Sequence, residues 1–506
     1  MPQIDITAQT RNLADGDMTA IELPSGEHRV LVSNIQGTLH AIYGKCSHYG
    51  APLDTGALDG HRVVCPWHHA CFDARTGLQL EGPGIDSLPT YEIVARDGKQ
   101  YLEVPDEIST TCHAPLADRD SDNTDTYIIV GGGPAGVYAA EGMRRGGYTG
   151  RIVLVSAEAE LPYDRTQASK GYLKGDADDE GMPLKPRSFY QDLGVDLHLG
   201  TRATSLDPEA RTLTLDSGDT MSYTKILLAT GSTARELPVP GGDLEGVHTL
   251  RTWSDARQLR QLAKDAGRVV VIGASFIGLE AAQALQAHGC EVTVVAPEAL
   301  PFAGLFGKDV AEYVAGLHRD AGIALRLPDE AVAIDGSDGR ATAVQLKSGD
   351  TLPADLVVVG IGVQPSTEWL PKQVVGDAGR ISVDEQMRHS DTLYAAGDIA
   401  SFPYRGEQIH IEHWKVAADH GRTAGCAMAG DTDAHYDAAP YFWTAQQGTN
   451  LRYLGHAKDA TADRSETHGS VPKAAFYREW YEGERVAAIL GVGKDKEMAA
   501  MHSRLQ

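Results

Sequence analysis

Short segments in which apolar and polar residues alternate run from residue 4 to residue 104. Examples are "HRVLVSNIQGTLHAIY" and "LPTYEIVARDGKQYLEV", and stretches with Gly, Asp and Pro separate such segments. Alternation with a period of two predicts strands, so we expect a small antiparallel, all-β domain over residues 1–104. Residues 105–124 are rich in Asp, Ser and Thr and poor in large apolar side chains, which predicts a linker.

Beyond the linker, two longer apolar runs are each followed by a glycine-containing turn and an alanine-rich helical pattern. They are "TYIIVGGGPAGVYAAEGMRRGG" and "RVVVIGASFIGLEAAQALQAHG". This order is typical of dinucleotide-binding units, because small residues let the backbone approach a pyrophosphate at a helix N-terminus. The turn residues are Gly131, Gly133 and Gly136 in the first unit and Gly273, Ser275 and Gly278 in the second. We expect two bound nucleotides; a structural duplication without the second ligand is the alternative.

The chain has 506 residues, which is more than one hydrophobic core usually supports. Its formal net charge of −25 repels nucleic acid and anionic lipid, so we expect no nucleic-acid or membrane partner and favour a cationic one. No leader pattern and no apolar run of about eighteen residues is present, so we expect a cytoplasmic protein. Six scattered cysteines do not suggest a disulfide framework.

Two cysteine–histidine pairs lie in the predicted β domain, within "CSHYGAPLDTGALDGHRVVCPWHH". One residue separates Cys46 from His48, and two residues separate Cys65 from His68. Zinc motifs usually begin with a cysteine pair, whereas here each pair offers one sulfur and one imidazole. That mixture fits a two-iron cluster with two Cys on one iron and two His on the other, and the stretch resembles the Rieske signature. A zinc site and simple packing residues are the alternatives.

Several later segments resemble parts of flavoprotein pyridine-nucleotide reductases. "KILLATGSTAR" and "DTLYAAGDIASF" resemble the two later FAD motifs, which implies that Asp398 accepts a hydrogen bond from the ribityl chain. "LPYDRTQASKGYL" resembles the flavin-side segment R-P-P-L-S-K, and so places Arg165 at the flavin and Lys170 beside its N5 edge. "IEHWKVAADHGRTAG" and "APYFWTAQQGTNLRYLG" resemble segments that close over the isoalloxazine, with Trp414 and Trp443 as its neighbours. Solvated charges and ordinary core aromatics are the alternatives.

Taken in this order, the segments resemble the Rieske-fused, apoptosis-inducing-factor-like flavoprotein reductases. The resemblance implies a multidomain fold. An all-β Rieske domain precedes α/β FAD and NAD domains of the glutathione-reductase type and an α+β C-terminal reductase domain. The implied boundaries are 1–104 for the Rieske domain, 105–124 for the linker, 125–248 and 373–434 for the FAD domain, 249–372 for the NAD domain and 435–506 for the C-terminal domain.

The resemblance also implies the site residues. Cys46, His48, Cys65 and His68 are the implied ligands of the cluster, and Lys170 and Glu280 the implied catalytic pair. The residues implied to contact FAD or the nicotinamide nucleotide are Gly131, Gly133, Pro134, Ala135, Gly136, Glu158, Arg165, Lys170, Ala203, Ala229, Thr230, Gly231, Arg235, Gly273, Ser275, Phe276, Ile277, Gly278, Glu280, Glu298, Gly362, Gly397, Asp398, Glu412, His413, Trp414 and Trp443.

Coenzyme choice depends on the residues after the second strand of each unit. An acidic residue commonly lies there in this family, but Ala157 and Ala296 occupy those positions. Glu158 and Glu298 follow one and two residues later, and we expect them to accept hydrogen bonds from ribose hydroxyls. No arginine follows Val295 to meet a 2′-phosphate, so we expect NADH rather than NADPH.

Nicotinamide gives a hydride, whereas an iron–sulfur cluster accepts single electrons, and FAD is a carrier that connects the two. We therefore expect electron flow from NADH through FAD and a Rieske cluster to an external acceptor, such as an oxygenase component, a ferredoxin, a cytochrome or a small quinone. A disulfide or persulfide reductase would need a reactive cysteine near the flavin, and none lies between Cys112 and Cys290. An apoptosis-inducing-factor-like DNA-binding role would need a basic surface. A cluster that senses redox state and gates the flavin is the remaining alternative.

The ligand spacing predicts that the purified protein contains about two iron and about two acid-labile sulfide atoms per chain. After reduction, electron paramagnetic resonance should give the rhombic, low-g spectrum of a histidine-ligated cluster. Elemental analysis that finds about one zinc atom per chain and no labile sulfide would contradict this prediction.

Overall fold

The computed structural model describes residues 2–457 and 464–505. The N-terminal region is built from short strands, with one short helix, α1 (Thr7–Thr10). Its strands are β1 (Gln3–Asp5), β2 (Met18–Glu22), β3 (Arg29–Ile35), β4 (Thr38–Tyr43), β5 (Ala57–Asp59), β6 (Arg62–Val64), β7 (Cys71–Asp73), β8 (Gln79–Glu81), β9 (Thr90–Tyr91), β10 (Ile93–Arg96) and β11 (Lys99–Glu103). Pairing of β1 with β11 brings the two ends of this region together, with Gln3 opposite Glu103.

Three antiparallel sheets make up this region. Their strand orders are β1-β11-β10, β2-β3-β4-β9 and β5-β6-β7-β8. The loop between β4 and β5 carries Cys46 and His48, and the loop between β6 and β7 carries Cys65 and His68. The first loop ends at β5 and the second starts from β6, and these neighbouring strands pair with Ala57 opposite Val64.

The first α/β unit begins after the linker with β12 (Thr126–Val130), which reads TYIIV. Such a continuous apolar strand is typical of a parallel sheet that is covered on both faces. The following elements are α2 (Pro134–Arg145), β13 (Arg151–Ser156), α3 (Gly171–Lys174), α4 (Arg187–Asp192), β14 (Val195–Leu199), β15 (Ala203–Asp207), β16 (Thr212–Leu215), β17 (Thr220–Ser222), β18 (Lys225–Leu228) and β19 (Ser232–Ala234).

The second α/β unit repeats this plan and has a parallel sheet of order β20-β27-β21-β22-β23. Its elements are β20 (Val247–Thr249), α5 (Trp253–Leu262), β21 (Arg268–Ile272), α6 (Phe276–Ala287), β22 (Glu291–Val295), α7 (Ala303–Phe306), α8 (Lys308–Asp320), β23 (Ala324–Arg326), β24 (Ala331–Ser337), β25 (Arg340–Leu346), β26 (Thr351–Pro353), β27 (Leu356–Val359) and β28 (Val363–Pro365).

The chain then returns to the first unit. The elements of this return are β29 (Ile381–Ser382), β30 (Leu393–Ala395), β31 (Ala400–Tyr404), β32 (Glu407–Ile409) and α9 (Trp414–Ala429). Strand β30 pairs in parallel with β18 and completes the order β14-β13-β12-β18-β30. The second unit is therefore an insertion between two parts of the first.

The C-terminal region is an antiparallel sheet of order β33-β34-β37-β36-β35 with one short α-helix. Its elements are β33 (Tyr441–Gln446), β34 (Thr449–Gly455), β35 (Ser465–Ser470), β36 (Ala475–Glu482), β37 (Arg485–Val492) and α10 (Asp495–Ala500). No helix in the described part of the chain has the length and apolar character that crossing a membrane requires.

The segment 105–124 follows the protein surface in an extended conformation and is tied down at three places by backbone hydrogen bonds. The amide of Cys112 donates to the carbonyl of Ser87 over 2.9 Å. Further along, the amides of Ala117 and Asp120 donate to the carbonyls of Arg144 and Thr149 over 2.9 and 2.8 Å. The predicted linker therefore crosses from the β region to the first α/β unit while bonded to both.

Helices α2 and α9 lie in close backbone contact because glycines face the partner helix. A Cβ atom on Gly421 would lie 2.1 Å from the carbonyl oxygen of Ala135, and one on Gly425 would lie 2.3 Å from that of Ala139. On the other helix, a Cβ atom on Gly142 would lie 2.6 Å from the carbonyl oxygen of Arg422. This contact fixes the start of α9 against the first glycine turn.

Replacement of Gly425 with Ala should lower the free energy of unfolding by about 1–3 kcal/mol, because the added methyl group forces the helices apart. Gly316→Ala is the matched control: Gly316 also lies inside a helix, α8, but no heavy atom lies within 4 Å of the position of its missing Cβ. The control should leave stability unchanged or raise it by up to about 1 kcal/mol. Thermal unfolding with flavin fluorescence measures both variants, and equal midpoints would argue against the close helix contact.

Candidate functional site

The four predicted cluster ligands converge between two neighbouring loops. Each loop closes on itself, since the Cys46 amide donates to the Ala51 carbonyl and the Cys65 amide to the Ala70 carbonyl, over 2.9 and 2.8 Å. Both cysteines are buried. The Nδ1 atoms of His48 and His68 lie 3.2 Å apart. The loops thus present a pair of sulfurs and a pair of imidazole nitrogens toward one another.

The electrostatics of these side chains suit a metal cluster. Burial lowers the pKa of His48 to about 4 and holds the pKa of His68 well below its usual range. Both imidazoles are therefore neutral near pH 7 and have a lone pair available for a metal. A hydrogen bond between the thiols, together with burial, raises the pKa of Cys46. The donor set fits a two-iron cluster with two sulfur ligands on one iron and two nitrogen ligands on the other.

A cavity of about 1420 Å³ lies between the two α/β units and the C-terminal sheet. Single small-molecule sites are usually about 300–1,000 Å³, so this cavity has room for more than one ligand. Most of the predicted nucleotide-binding residues line it. They are Gly131, Gly133, Pro134, Ala135, Glu158, Arg165, Lys170, Ala203, Ala229, Thr230, Gly231, Ser275, Phe276, Ile277, Glu280, Gly362, Gly397, Asp398, Glu412, His413, Trp414 and Trp443.

The other predicted nucleotide-binding residues are not in the cavity wall: Gly136, Arg235, Gly273, Gly278 and Glu298. Gly136 and Gly278 lie at the starts of α2 and α6, where a Cβ atom would lie 2.1 and 2.2 Å from the carbonyl oxygens of Gly131 and Gly273. Arg235 is exposed and donates to the Val363 carbonyl over 2.9 Å. Glu298 is exposed in the loop after β22.

The first glycine turn is shaped for close approach of a ligand to the backbone. Gly131 has φ of +125°, and a Cβ atom there would lie 2.1 Å from the carbonyl oxygen of Ala229. The turn leads into α2, whose first residue is Pro134. A helix N-terminus that faces a cavity through a glycine turn is a site for a pyrophosphate.

Glu158 is the centre of a polar group beside this turn. Its carboxylate accepts hydrogen bonds from Arg165 and from the hydroxyl of Tyr163, both over 2.6 Å. Arg165 also donates to the Arg251 carbonyl over 2.8 Å. The carboxylate is thus held at the carboxyl end of β13, where a nucleotide ribose lies in dinucleotide-binding folds.

The Lys170 ammonium lies at the cavity wall and is fixed by a buried carboxylate. Its Nζ atom donates to Glu280 over 2.9 Å, and Glu280 is 1% exposed. Glu280 accepts two further hydrogen bonds, from Ser169 over 2.6 Å and from Thr444 over 2.7 Å. A buried charge needs such partners, and here they hold a cation at a defined place beside the ligand space.

Two tryptophans separate the cavity from the cluster ligands. Trp414 begins α9 and Trp443 lies in β33, and both line the cavity. The ring of His48 is stacked on Trp414 with centroids 6.1 Å apart, and the ring of His68 lies 4.3 Å from that of Trp443. The buried indole Nε1 of Trp414 has no hydrogen-bond partner in the described structure, as expected of a group that awaits a ligand.

A smaller cavity of about 320 Å³ lies on the outer side of this wall. Its lining residues are Trp67, His68, Trp443, Asn450, Arg452 and Asp495. Trp67 is 38% exposed, and its carbonyl accepts hydrogen bonds from Tyr441 and Arg452, both over 2.9 Å. Trp443 therefore forms part of both cavities.

Sequence reasoning missed several polar residues of the site. Ser169 is the serine of the S-K pair in the flavin-side motif, so the motif itself could have indicated it. Thr444 has no comparable signal, because it reaches Glu280 from a distant part of the chain. The hydroxyl of Tyr49, next to His48, bonds to Asp164 over 2.5 Å and to Gln167 over 2.7 Å, and links the first cluster loop to the cavity segment.

This combination, two glycine-turn nucleotide sites around one cavity and a Cys₂His₂ cluster site behind its aromatic wall, defines a reductase that uses a flavin and a nicotinamide with an iron–sulfur domain. The chain belongs to the pyridine nucleotide-disulphide oxidoreductase family, whose model matches residues 125–421. The model of the Rieske [2Fe-2S] domain matches residues 4–92. These matches confirm the predicted fold class and the predicted FAD, NAD(P)H and cluster cofactors.

Known relatives span most of the chain. Apoptosis-inducing factor 3 of Homo sapiens is 32% identical over 500 residues, which cover 96% of this chain and 81% of that protein. Rhodocoxin reductase of Rhodococcus erythropolis is 36% identical and covers 74% of this chain and 88% of its own length. The covalent putidaredoxin reductase–putidaredoxin complex contains a chain with a TM-score of 0.71 and 30% identity, over 76% of this chain and 93% of that one.

The position of Glu298 after β22 gives a test of coenzyme preference. Nucleotides bind at the carboxyl ends of parallel strands, so Glu298→Ala should remove an acceptor for the ribose and a charge that repels a 2′-phosphate. We expect the ratio of kcat/KM for NADH to that for NADPH to fall about tenfold, equivalent to about 1.4 kcal/mol. Glu291→Ala, at the opposite end of β22, is the exposed control. An unchanged ratio in Glu298→Ala would remove this residue from coenzyme recognition.

Proposed function

We propose that this protein oxidises NADH and passes the electrons through FAD and the Rieske cluster to an external one-electron acceptor. Each NADH gives up a hydride, which is one proton and two electrons. Two acceptor molecules take one electron each, so the products are NAD⁺, one proton and two reduced acceptors. FAD supplies the conversion from a two-electron to a one-electron carrier, and the cluster supplies the one-electron exit.

The observation that carries this proposal is the contact between the cluster ligands and the cavity wall. His48 and His68 each pack on an indole that also lines the cavity. This arrangement puts the electron-accepting group one side chain away from the space for the flavin. It supports a route in which electrons cross the wall without a mobile carrier.

The residues of the chain bind and orient in this reaction, and none needs to act as a nucleophile. The first glycine turn, Glu158 and Arg165 would hold the FAD, and the second turn with Ser275 would hold the nicotinamide nucleotide. Ser275 caps α6 by accepting from the Gly278 amide over 3.1 Å, which orders the helix end that faces the coenzyme. Lys170, held by Glu280 at the cavity wall, would offer a positive charge to a flavin that has gained electrons.

The names of the relatives support the class of acceptor. They include rhodocoxin reductase, a rubredoxin-NAD(+) reductase and the ferredoxin reductase subunit of 5,5'-dehydrodivanillate O-demethylase. We infer that the acceptor is a ferredoxin, an oxygenase component or a cytochrome with a cationic docking face. The net charge of −25 favours such a partner and speeds its association at low salt.

Two rival functions receive less support. A dithiol or persulfide reductase needs a thiol at the flavin, but among the described residues that line the large cavity there is no cysteine. A nucleic-acid role needs a basic face, and a chain with 70 acidic and 45 basic residues does not favour one. A cluster that only senses redox state would leave the flavin as the donor to the acceptor.

Replacement of His68 with Ala distinguishes a cluster that passes electrons to the acceptor from a cluster that only senses redox state. One imidazole cannot keep its iron, so the cluster should be lost, whereas FAD should stay bound and NADH should still bleach it. Reduction of cytochrome c, a one-electron protein acceptor, should fall at least about 100-fold, while reduction of ferricyanide, which can take electrons from flavin, largely survives.

The control is His40→Ala, a half-buried histidine on β4 of the same domain, which should keep both activities. Cytochrome c reduction that persists in His68→Ala would mean that electrons leave directly from the flavin. In that case the cluster is a sensing or structural centre.

A further inference from the structure

A stripe of charged residues on α9 is buried against the Rieske domain. Lys415, Asp419 and Arg422 are spaced i, i+4 and i+7 and therefore share one helix face. All three are less than a tenth exposed. The stripe lies beside Trp414 but is outside the residues that line the large cavity, so nucleotide binding does not account for it.

Lys415 is at the centre of this interface. Its Nζ atom donates to Glu81 of the Rieske domain over 2.8 Å and to Asp419 over 2.6 Å. Burial alone would lower the pKa of Lys415, but the carboxylates of Asp419 and Glu81 raise it instead. The lysine therefore remains charged, and its partners come from both sides of the interface.

The other two members of the stripe hold the same edge of the Rieske domain. Asp419 accepts a hydrogen bond from the backbone amide of Gly82 over 2.7 Å. Arg422 donates to the side chain of Gln79 over 2.5 Å and to Glu141 of α2 over 3.0 Å. Strand β8 and Gly82 are thus bonded to three residues of one helix face.

A second attachment lies at the second cluster loop. Tyr441 and Arg452, from β33 and β34, both donate to the carbonyl of Trp67, next to the cluster ligand His68. The ring of His69 is stacked on that of Tyr441 with centroids 4.1 Å apart. The imidazoles therefore cannot leave the tryptophan wall unless both attachments are broken.

We propose that this buried charge stripe keeps the Rieske domain permanently docked on its own reductase, so that the cluster is reduced within one chain and without release of the domain. This inference rests on the proposed electron route from flavin to cluster. Lys415 is a positioning residue: it contacts neither cofactor site and acts through the orientation of β8, which belongs to the same sheet as β5, β6 and β7 beside the cluster loops.

The alternative is a Rieske domain that swings on residues 105–124. A fully extended segment of this length could span about 65 Å, enough for a large excursion. The three backbone hydrogen bonds along the segment and the buried charges oppose such motion. Mobile domain interfaces are typically polar and solvated, whereas undocking here would break ion pairs that are matched in a dry interface.

Hydrogen–deuterium exchange on the holoprotein tests the docking without reference to activity. In wild type, the amides of residues 79–86 should exchange slowly. Lys415→Met removes the cation that joins Glu81 to Asp419 and leaves Glu81 with Arg62 and His502 as partners. Exchange in this segment should therefore accelerate at least about tenfold, while FAD content, the cluster spectrum and exchange in β12 stay at wild-type level. Lys415→Arg should restore slow exchange, and Lys308→Met, on the exposed face of α8, is the surface control.

Glu81→Gln provides a second variant that is isosteric and leaves α9 unchanged. It should accelerate exchange in residues 79–86 as Lys415→Met does, which covers the case in which the lysine variant fails to fold. Exchange at the wild-type rate in the folded variants would overturn the proposal. So would rapid exchange of residues 79–86 in the wild-type protein itself.

Single-turnover kinetics give a second readout. After mixing with NADH, the rate of cluster reduction in wild type should not depend on protein concentration, whereas in Lys415→Met it should fall at least about tenfold with flavin reduction unchanged. A wild-type rate proportional to protein concentration would show transfer between chains and overturn permanent docking while leaving the electron route intact. No cluster reduction by NADH would instead overturn the proposed function, and the exchange data would still decide the docking.

Discussion

The close contact between α9 and α2 is the constraint on which the rest of the site depends. Glycines at positions 421 and 425 bring the two backbones together, and this fixes where α9 begins. Its first residue, Trp414, then forms the wall of the cavity, and a separate face of the same helix carries Lys415 and Asp419 to the Rieske domain. One helix therefore sets the position of the nucleotide space and of the cluster domain relative to it.

The fold could be predicted largely from local patterns. Alternation in the first region, two strand–turn–helix units and the Cys–His pairs each occupy a short stretch of sequence, and each has a physical reason to appear in that form. The convergence of His48 and His68 follows from loops on neighbouring strands. Such features can be predicted from the sequence because the residues that form each of them are close together in the chain.

The interface between α9 and the Rieske domain could not be predicted from local sequence patterns. Lys415, Asp419 and Arg422 have the spacing of a solvated helix face, and nothing near them in sequence shows that β8 and Gly82, more than 300 residues earlier, cover them. The role of Thr444 could not be predicted for the same reason, since its partner Glu280 belongs to another unit. Glu298 is the reverse case: the sequence pattern favours it for ribose contact, but it lies outside the cavity wall, so this contact stays a prediction.

The shared position of Trp443 couples the shapes of the two cavities. This indole lines both the nucleotide space and the outer cavity beside His68. A substitution at Trp443 therefore reshapes both spaces at once. Asn450 and Asp495 line the outer cavity and not the nucleotide space, so substitutions there change the outer cavity alone.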